Sequence, residues 1–554
     1  MTMQRILGLD ILTFLIFAPM VGGLIVLLLP RNRPLARWAA LAVSVVVGAV
    51  SLVAFNTYVQ NPGGFRLETQ TPWFPLLGAS WHVGIDGISA AMVLLTGVLT
   101  PLAILISFEI EERVNAHMAL LLIFEGATFG VFVAQDLMIF FLFYELSLVP
   151  MYFLIDQWGG PNRKYASTKF FIYSLGGSLG MLLATQLIGW SVATIPADIV
   201  DSLRATTPAL ANYVAGNPSM DIPVLTALWP HLGGTFLGVD ASVVKGLAFL
   251  GFFVAFCIKV PVWPFHTWLP DAHGEAPTAG SMLLAGLMLK LGAYGFLRLV
   301  IPIFPDVWIA EINVLGFETN WATVFAFLAM LGVVLGAFAA WGQNDIKRLV
   351  AYSSVNHMGF VALGLAVTAV AYAQLFYEGT TPYIQDAIIA TNGAVMQMFN
   401  HGLSSAAMFL LAGAIYHKTH TRDIRQYGGL WVKMPIFGGI FIFSSMASLG
   451  LPGLNGFVGE FLVVRGVWPV FTVLTVLSML GLLITGSYIL KGIRAMLHGP
   501  FNLHWRDTDL EIDLREVVAI APLLALILIT GLIPNWILSV INESVTRMLV
   551  LLGA

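Results

Sequence analysis

The chain has 554 residues, 58% apolar and only 10% charged, with a mean hydropathy of +0.87 and a net charge of −4. That composition excludes an ordinary water-soluble globule, and no basic block suggests nucleic acid. The single cysteine, Cys257, excludes an internal disulfide and the thiolate set of an iron–sulfur cluster, so any electron transfer lies on another subunit.

A hydrocarbon core of about 30 Å needs roughly 20 apolar residues per helix, and about fourteen such segments follow one another. They run at 10–29, 37–55, 86–108, 117–133, 136–155, 167–194 and 244–263. The rest run at 279–302, 321–341, 348–372, 386–416, 434–463, 467–495 and 516–540. Barrel strands alternate apolar and polar residues, whereas these segments are apolar all round. The pattern predicts an all-α polytopic membrane protein in a lipid bilayer. The first segment is read as a retained span, since Asp10 precedes it and the basic cluster follows it.

Two polar stretches, 56–85 and 195–243, interrupt the helices and are expected to cap one face, the first with a hairpin around Phe65 and Trp73. Placing Arg31, Arg33 and Arg37 in the cytoplasm gathers most of the basic residues there, among them Arg163, Lys164, Lys347, Arg348, Arg422 and Arg425. Both termini then face away from the cytoplasm.

Four ionisable residues lie within apolar runs: Glu145 in DLMIFFLFYELSLVPMYFLI, Lys259 in GLAFLGFFVAFCIKVPVWPF, Lys290 in SMLLAGLMLKLGAYGFL and Glu460 in SLGLPGLNGFVGEFL. Charges at bilayer depth are costly and mark ion pathways. Lys259 is followed by Pro261 and Pro264, and Glu460 follows Pro452, so each shares its span with a helix break. Interrupted segments in corresponding places point to inverted repeats around a central site. The reading is two five-helix repeats, 117–302 and 321–495, each with its break in the fourth helix. They are flanked by N-terminal helices over 1–116 and by a loop and last span over 496–554.

These motifs resemble a known family, the antiporter-like membrane subunits of respiratory complex I, the proton-translocating NADH:quinone oxidoreductase. The resemblance covers nearly the whole chain. It is carried by GIDGIS at 84–89, FYELSLVPMYFLI at 143–155, RKYASTKFFIYS at 163–174 and KVPVWPFHTWLPDAHGEAPTAGSMLLAGLMLKLGAYGFLR at 259–298. DIKRLVAYSSVNHMGF at 345–360, QMFNHGLSSAAMFLLAGAIYHKTHTRDI at 397–424 and GLPGLNGFVGEF at 450–461 continue it. Glu460 resembles the M type, because the L and N types and the multisubunit sodium/proton antiporters carry lysine at that place.

The resemblance implies that Glu145 is the carboxylate partner of Lys259, Lys290 the central relay, His357 and His401 intermediates, and Glu460 the terminal exit group. It implies no cofactor in this chain: FMN, iron–sulfur clusters, NADH and quinone belong to partner subunits. The partners implied are the other membrane-arm subunits of complex I, especially the L-type and N-type antiporter-like chains, in a bacterial inner membrane. Two alternatives stay open, a sodium/proton antiporter subunit and the equivalent subunit of a ferredoxin- or hydrogenase-linked relative. Glu125, in LLLIFEGATFG, has no role in the resemblance; a satisfied interior acid and a second proton-uptake carboxylate both fit it. His266, His273, His417 and His420 are expected in cytoplasmic loops, and Asp345, Lys347 and Arg348 in a solvated charge cluster. Lys169, near a cytoplasmic span end, fits snorkelling as well as an uptake path.

Overall fold

Apolar runs of this length have one stable form in lipid, the helix, which satisfies every backbone group within its own segment. The computed structural model describes residues 5–6, 8–30, 32–314 and 316–550, so Arg31 lies outside the described residues. The helices are α1 (Ile11–Leu28), α2 (Arg33–Gln60), α3 (Gly87–Ile106), α4 (Val114–Val133), α5 (Leu137–Trp158) and α6 (Arg163–Ser191). They continue with α7 (Ala241–Lys259), α8 (Leu269–Glu275), α9 (Thr278–Ile303), α10 (Trp321–Gly342), α11 (Ile346–Glu378) and α12 (Ile384–Thr419). The last are α13 (Pro435–Leu449), α14 (Asn455–Val467), α15 (Thr472–Leu497), α16 (Leu514–Leu532) and α17 (Asn535–Val550).

Among the described residues, 13 helices are long and apolar enough to cross a membrane, and the pair α13/α14 fills the predicted segment 434–463. Many spans begin at an Asp or Asn whose side chain accepts a backbone N–H of the first turn: Asp10, Asn32, Asp86, Asp136, Asp240, Asn320 and Asp345. Such caps supply donors left over at a helix start with a partner, and they fix where each helix leaves the polar loop.

Three predicted spans differ in their ends. The segment 244–263 stops being helical at Lys259, and 434–463 is two helices rather than one. The segment 516–540 ends at Leu532, before Pro534, and the chain restarts as the separate helix α17, which packs on α12 and α3. Proline and glycine after an apolar run end helices that hydropathy alone extends.

On one face, β1 (Arg66–Phe74) and β2 (Ala79–Ile85) form an antiparallel hairpin with Gln70 opposite His82, and Trp73 lies within it. His82 is buried between two carboxylates, Nδ1 at 2.6 Å from Asp221 Oδ2 and Nε2 at 2.8 Å from Glu68 Oε1. Asp221 also caps the short helix Ile222–Leu228, so His82 ties the hairpin to the 195–243 loop. Burial alone would lower the His82 imidazole, but the hydrogen bonds and charges of Asp221 and Glu68 outweigh it and push it up to about 9.

The opposite face is held by ion pairs around α8. Asp271 takes Lys169 and Arg348 at 2.7 and 2.6 Å, and Arg422 joins Asp345 at 3.1 Å and Glu275 at 3.4 Å. Lys347 departs from the expected solvated cluster. It is buried and donates to Ala276 O at 3.0 Å. His273 departs too: it is fully buried and stacked on Phe409, with ring centroids 4.5 Å apart. Both turn inward because α8 folds back into the protein instead of continuing as a surface loop. His417 and His420 are exposed, but His417 belongs to the last turn of α12 rather than to a loop, and His420 caps that helix.

Candidate functional site

The first break begins where α7 ends at Lys259. The carbonyls released there find new donors: Val262 N–H to Cys257 O at 2.9 Å and the Trp268 indole to Ile258 O at 2.9 Å. These two carbonyls at the buried end of α7 are therefore satisfied, as irregular chain at membrane depth requires. Lys259 is 1% exposed, and its Nζ stands 4.6 Å from the centre of the Tyr144 ring. An ammonium over an aromatic face gains from the ring quadrupole without a counter-ion. Gly292 of α9 makes this approach workable, since a Cβ there would lie 2.9 Å from Lys259 Cβ.

The expected carboxylate partner is not in contact. Glu145, the residue after Tyr144, is half-buried and has no oxygen within the 4 Å ion-pair limit of Lys259 Nζ, although the two charges act on each other. The aromatic ring occupies the place next to the ammonium.

The other four predicted residues form one chain. Lys290 lies in the middle of α9, between two turns of π-helix at Leu284–Met288 and Phe296–Val300. Such turns leave carbonyls out of the regular ladder, and the Lys290 ammonium donates to one of them, Ala285 O. Its second partner is His401 Nδ1 of α12, at 2.7 Å. His401 and His357 of α11 stand with ring centroids 5.6 Å apart, and His357 Nδ1 lies 2.7 Å from Glu460 Oε1 of α14. All four are 5% exposed or less.

The partners assign the tautomers. A Lys290 ammonium donates, so His401 Nδ1 accepts and its proton sits on Nε2. The Glu460 carboxylate accepts, so His357 carries its proton on Nδ1 and leaves Nε2 as a lone pair. Both Nε2 atoms are buried without a hydrogen-bond partner. With these tautomers one is a donor and the other an acceptor, on rings whose centroids are 5.6 Å apart.

The second break holds Glu460 in place. Gly450 ends α13 at φ +80, where other residues are strained, and a Cβ there would come 2.9 Å from Glu460 Oε2. Asn400 Nδ2 donates to Asn455 O at 2.6 Å, and Asn455 Nδ2 returns the bond to Asn400 O at 3.1 Å, locking α14 to α12 across the break. Gln397 Nε2 donates a further bond to Glu460 Oε1 at 3.1 Å.

Sequence reasoning overlooked Tyr144, Gln397 and the Asn400/Asn455 clamp, which carry no charge and so stand out in no hydropathy reading. The π turns had a faint signal in Gly286, Gly292 and Gly295 around Lys290. Among the described residues, no group of three or more His, Cys, Asp or Glu is arranged to hold a metal ion.

A long-helix bundle with two interrupted helices and buried lysines defines a class of ion-conducting membrane proteins. The family profile described as NADH:quinone oxidoreductase/Mrp antiporter, transmembrane, matches residues 134–382 and 382–485. The NADH-quinone oxidoreductase subunit M of Pseudomonas aeruginosa is 38% identical over 559 residues, covering 98% of each chain. That of Escherichia coli K12 is 36% identical, covering 97% of each. A chain of the respiratory complex I of Thermus thermophilus with bound NADH superposes with a TM-score of 0.76 at 26% identity, covering 97% of this chain and 99% of that one. The chain belongs to the NADH:quinone oxidoreductase/Mrp antiporter transmembrane family.

Proposed function

We infer that this chain is the M-type membrane subunit of a proton-translocating NADH:quinone oxidoreductase, conducting protons while electrons move on other subunits. The observation that carries the reading is the continuous buried chain Lys290, His401, His357, Glu460. Relatives bearing the subunit M name match it nearly end to end, and Glu460 separates it from the antiporter alternative sharing the same profile. FMN, iron–sulfur clusters, NADH and quinone sit on partner subunits, and the L-type and N-type chains flank this one. The membrane is the bacterial inner membrane with both termini away from the cytoplasm. The helices divide into repeats over 117–302 and 321–495, with one break in each.

In this mechanism Lys259 and Glu145 form the switch. Approach of Glu145 favours the Lys259 ammonium; withdrawal leaves the cation with only the Tyr144 ring, and its proton moves toward Lys290. Lys290 passes a proton to His401 Nδ1 as His401 Nε2–H passes one to His357 Nε2. His357 Nδ1–H then protonates Glu460, whose release to the far side resets the chain. Each histidine takes a proton on one ring nitrogen and gives one from the other, so both rings must change tautomer to reset. The test is proton pumping by the assembled complex in reconstituted vesicles. His401→Phe is expected to abolish pumping while the complex assembles; full pumping by that variant would reject the relay.

A further inference from the structure

The relay leaves unused a second buried acid, in helices that precede the segment matched by the family profile. On α2 every seventh residue is polar: Arg37, Ser44, Ser51 and Tyr58, the last three wholly buried. With Ala40, Gly48 and Ala54 between them this stripe is ordinary small-residue packing. Glu125 departs from it. It is wholly buried in α4, where α1, α2 and α4 meet, and its Oε1 accepts the Ser44 hydroxyl at 2.9 Å. Its Oε2 has no partner, and no charged side chain acts on it. One hydroxyl does not balance an ionised carboxylate at this depth, so the resting group is the neutral acid.

His117 lies two turns away on the same helix, toward the end that carries Arg113, and is also wholly buried. The Ser107 hydroxyl donates to Ala103 O at 3.0 Å, so it accepts from His117 Nε2–H at 3.0 Å. His117 Nδ1 is then a buried acceptor without a donor. Eight residues of helix place the two groups roughly 12 Å apart along the axis.

We propose that Glu125 is a second proton-binding carboxyl, loaded through His117 from the membrane face that carries Arg37 and Arg113, and separate from the Lys259-to-Glu460 relay. The step is proton transfer alone. After Glu125 has lost its proton, water at that face gives one to His117 Nδ1, the Nδ1–H of the resulting imidazolium passes it through bridging water to Glu125 Oε2 and returns the ring to neutral, and bulk buffer neutralises the hydroxide. No bond between heavy atoms changes. The site stands on α2 to α4 and holds whether or not the relay reading does.

The experiment is infrared spectroscopy of the assembled complex in lipid nanodiscs during transfer to D2O. The wild type is expected to show a protonated-carboxyl C=O band that Glu125→Gln lacks and that shifts downward in D2O. His117→Phe keeps the band but slows its shift by about tenfold or more. Ser44→Ala moves the band to higher frequency, which tests the assignment even where Glu125→Gln fails to assemble. The proposal is overturned by any of three results: a band unmoved by Ser44→Ala and untouched by Glu125→Gln, a band that never exchanges, or exchange in His117→Phe at the wild-type rate.

Discussion

The two helix breaks use opposite chemistry. At the first, backbone carbonyls are filled by Val262 N–H and the Trp268 indole, while the Lys259 ammonium rests on the Tyr144 ring with no counter-ion in contact. At the second, asparagines clamp the backbone and Glu460 holds hydrogen bonds from His357 and Gln397. At the first site the cation stands apart from its expected carboxylate; at the second, hydrogen bonds already join Lys290 to His401 and His357 to Glu460. In the proposed relay the first break is the switch and the second the wire, and a pump needs both, because a wire without a switch leaks and a switch without a wire delivers nothing.

The comparison is most sharply tested at the switch. Lys259→Ala removes the buried ammonium at the first break and is expected to lower proton pumping about a hundredfold in reconstituted vesicles. Retained pumping would make the first break structural. Tyr144→Leu keeps the apolar volume but removes the ring face, and should weaken coupling by less than Lys259→Ala, because Glu145 can still approach.

At the second break, Glu460→Gln keeps an acceptor for His357 but cannot take a proton. Pumping is expected to fall roughly tenfold or more with assembly intact. Asn455→Ala tests the clamp rather than the wire. It removes the bond from Asn455 Nδ2 to the Asn400 carbonyl, a loss of about 0.5–1.5 kcal/mol. Thermal unfolding of the complex should shift downward, with pumping per assembled complex nearly unchanged.

The smallest effect lies outside the membrane, at the hairpin. His82 is held up to about 9, above its ordinary value near 6.5, so its protonated form is favoured by folding. The anchorage is complete below about pH 6.5 and is lost as pH rises through about 9. Limited proteolysis of the hairpin should therefore accelerate between pH 8 and about 10 in the wild type. In His82→Gln it should be faster at neutral pH and flat across that range.

Glu145, Lys259, Lys290 and Glu460 were legible because a charge inside an apolar run has no cheap explanation. His357 and His401 became candidates through resemblance, since a buried histidine has no such signature of its own. His273 read as a surface group because prolines around 261–277 look like a loop, and Lys347 because it stands between Asp345 and Arg348, whereas α8 folds inward, burying His273 and offering Lys347 the Ala276 carbonyl.

What the amino-acid order determined by itself is most of the membrane crossings, the breaks beside Lys259 and Glu460, and the burial of Lys259, Lys290 and Glu460. Hydropathy and proline act over neighbouring residues, and a one-dimensional reading captures them. Only the tertiary structure decided that Lys290, His401, His357 and Glu460, drawn from α9, α12, α11 and α14, form one line, and that an aromatic ring stands beside Lys259 with Glu145 out of contact. Those outcomes depend on helix rotation and on close approach at Gly292 and Gly450, which arise from contacts between residues far apart in the chain.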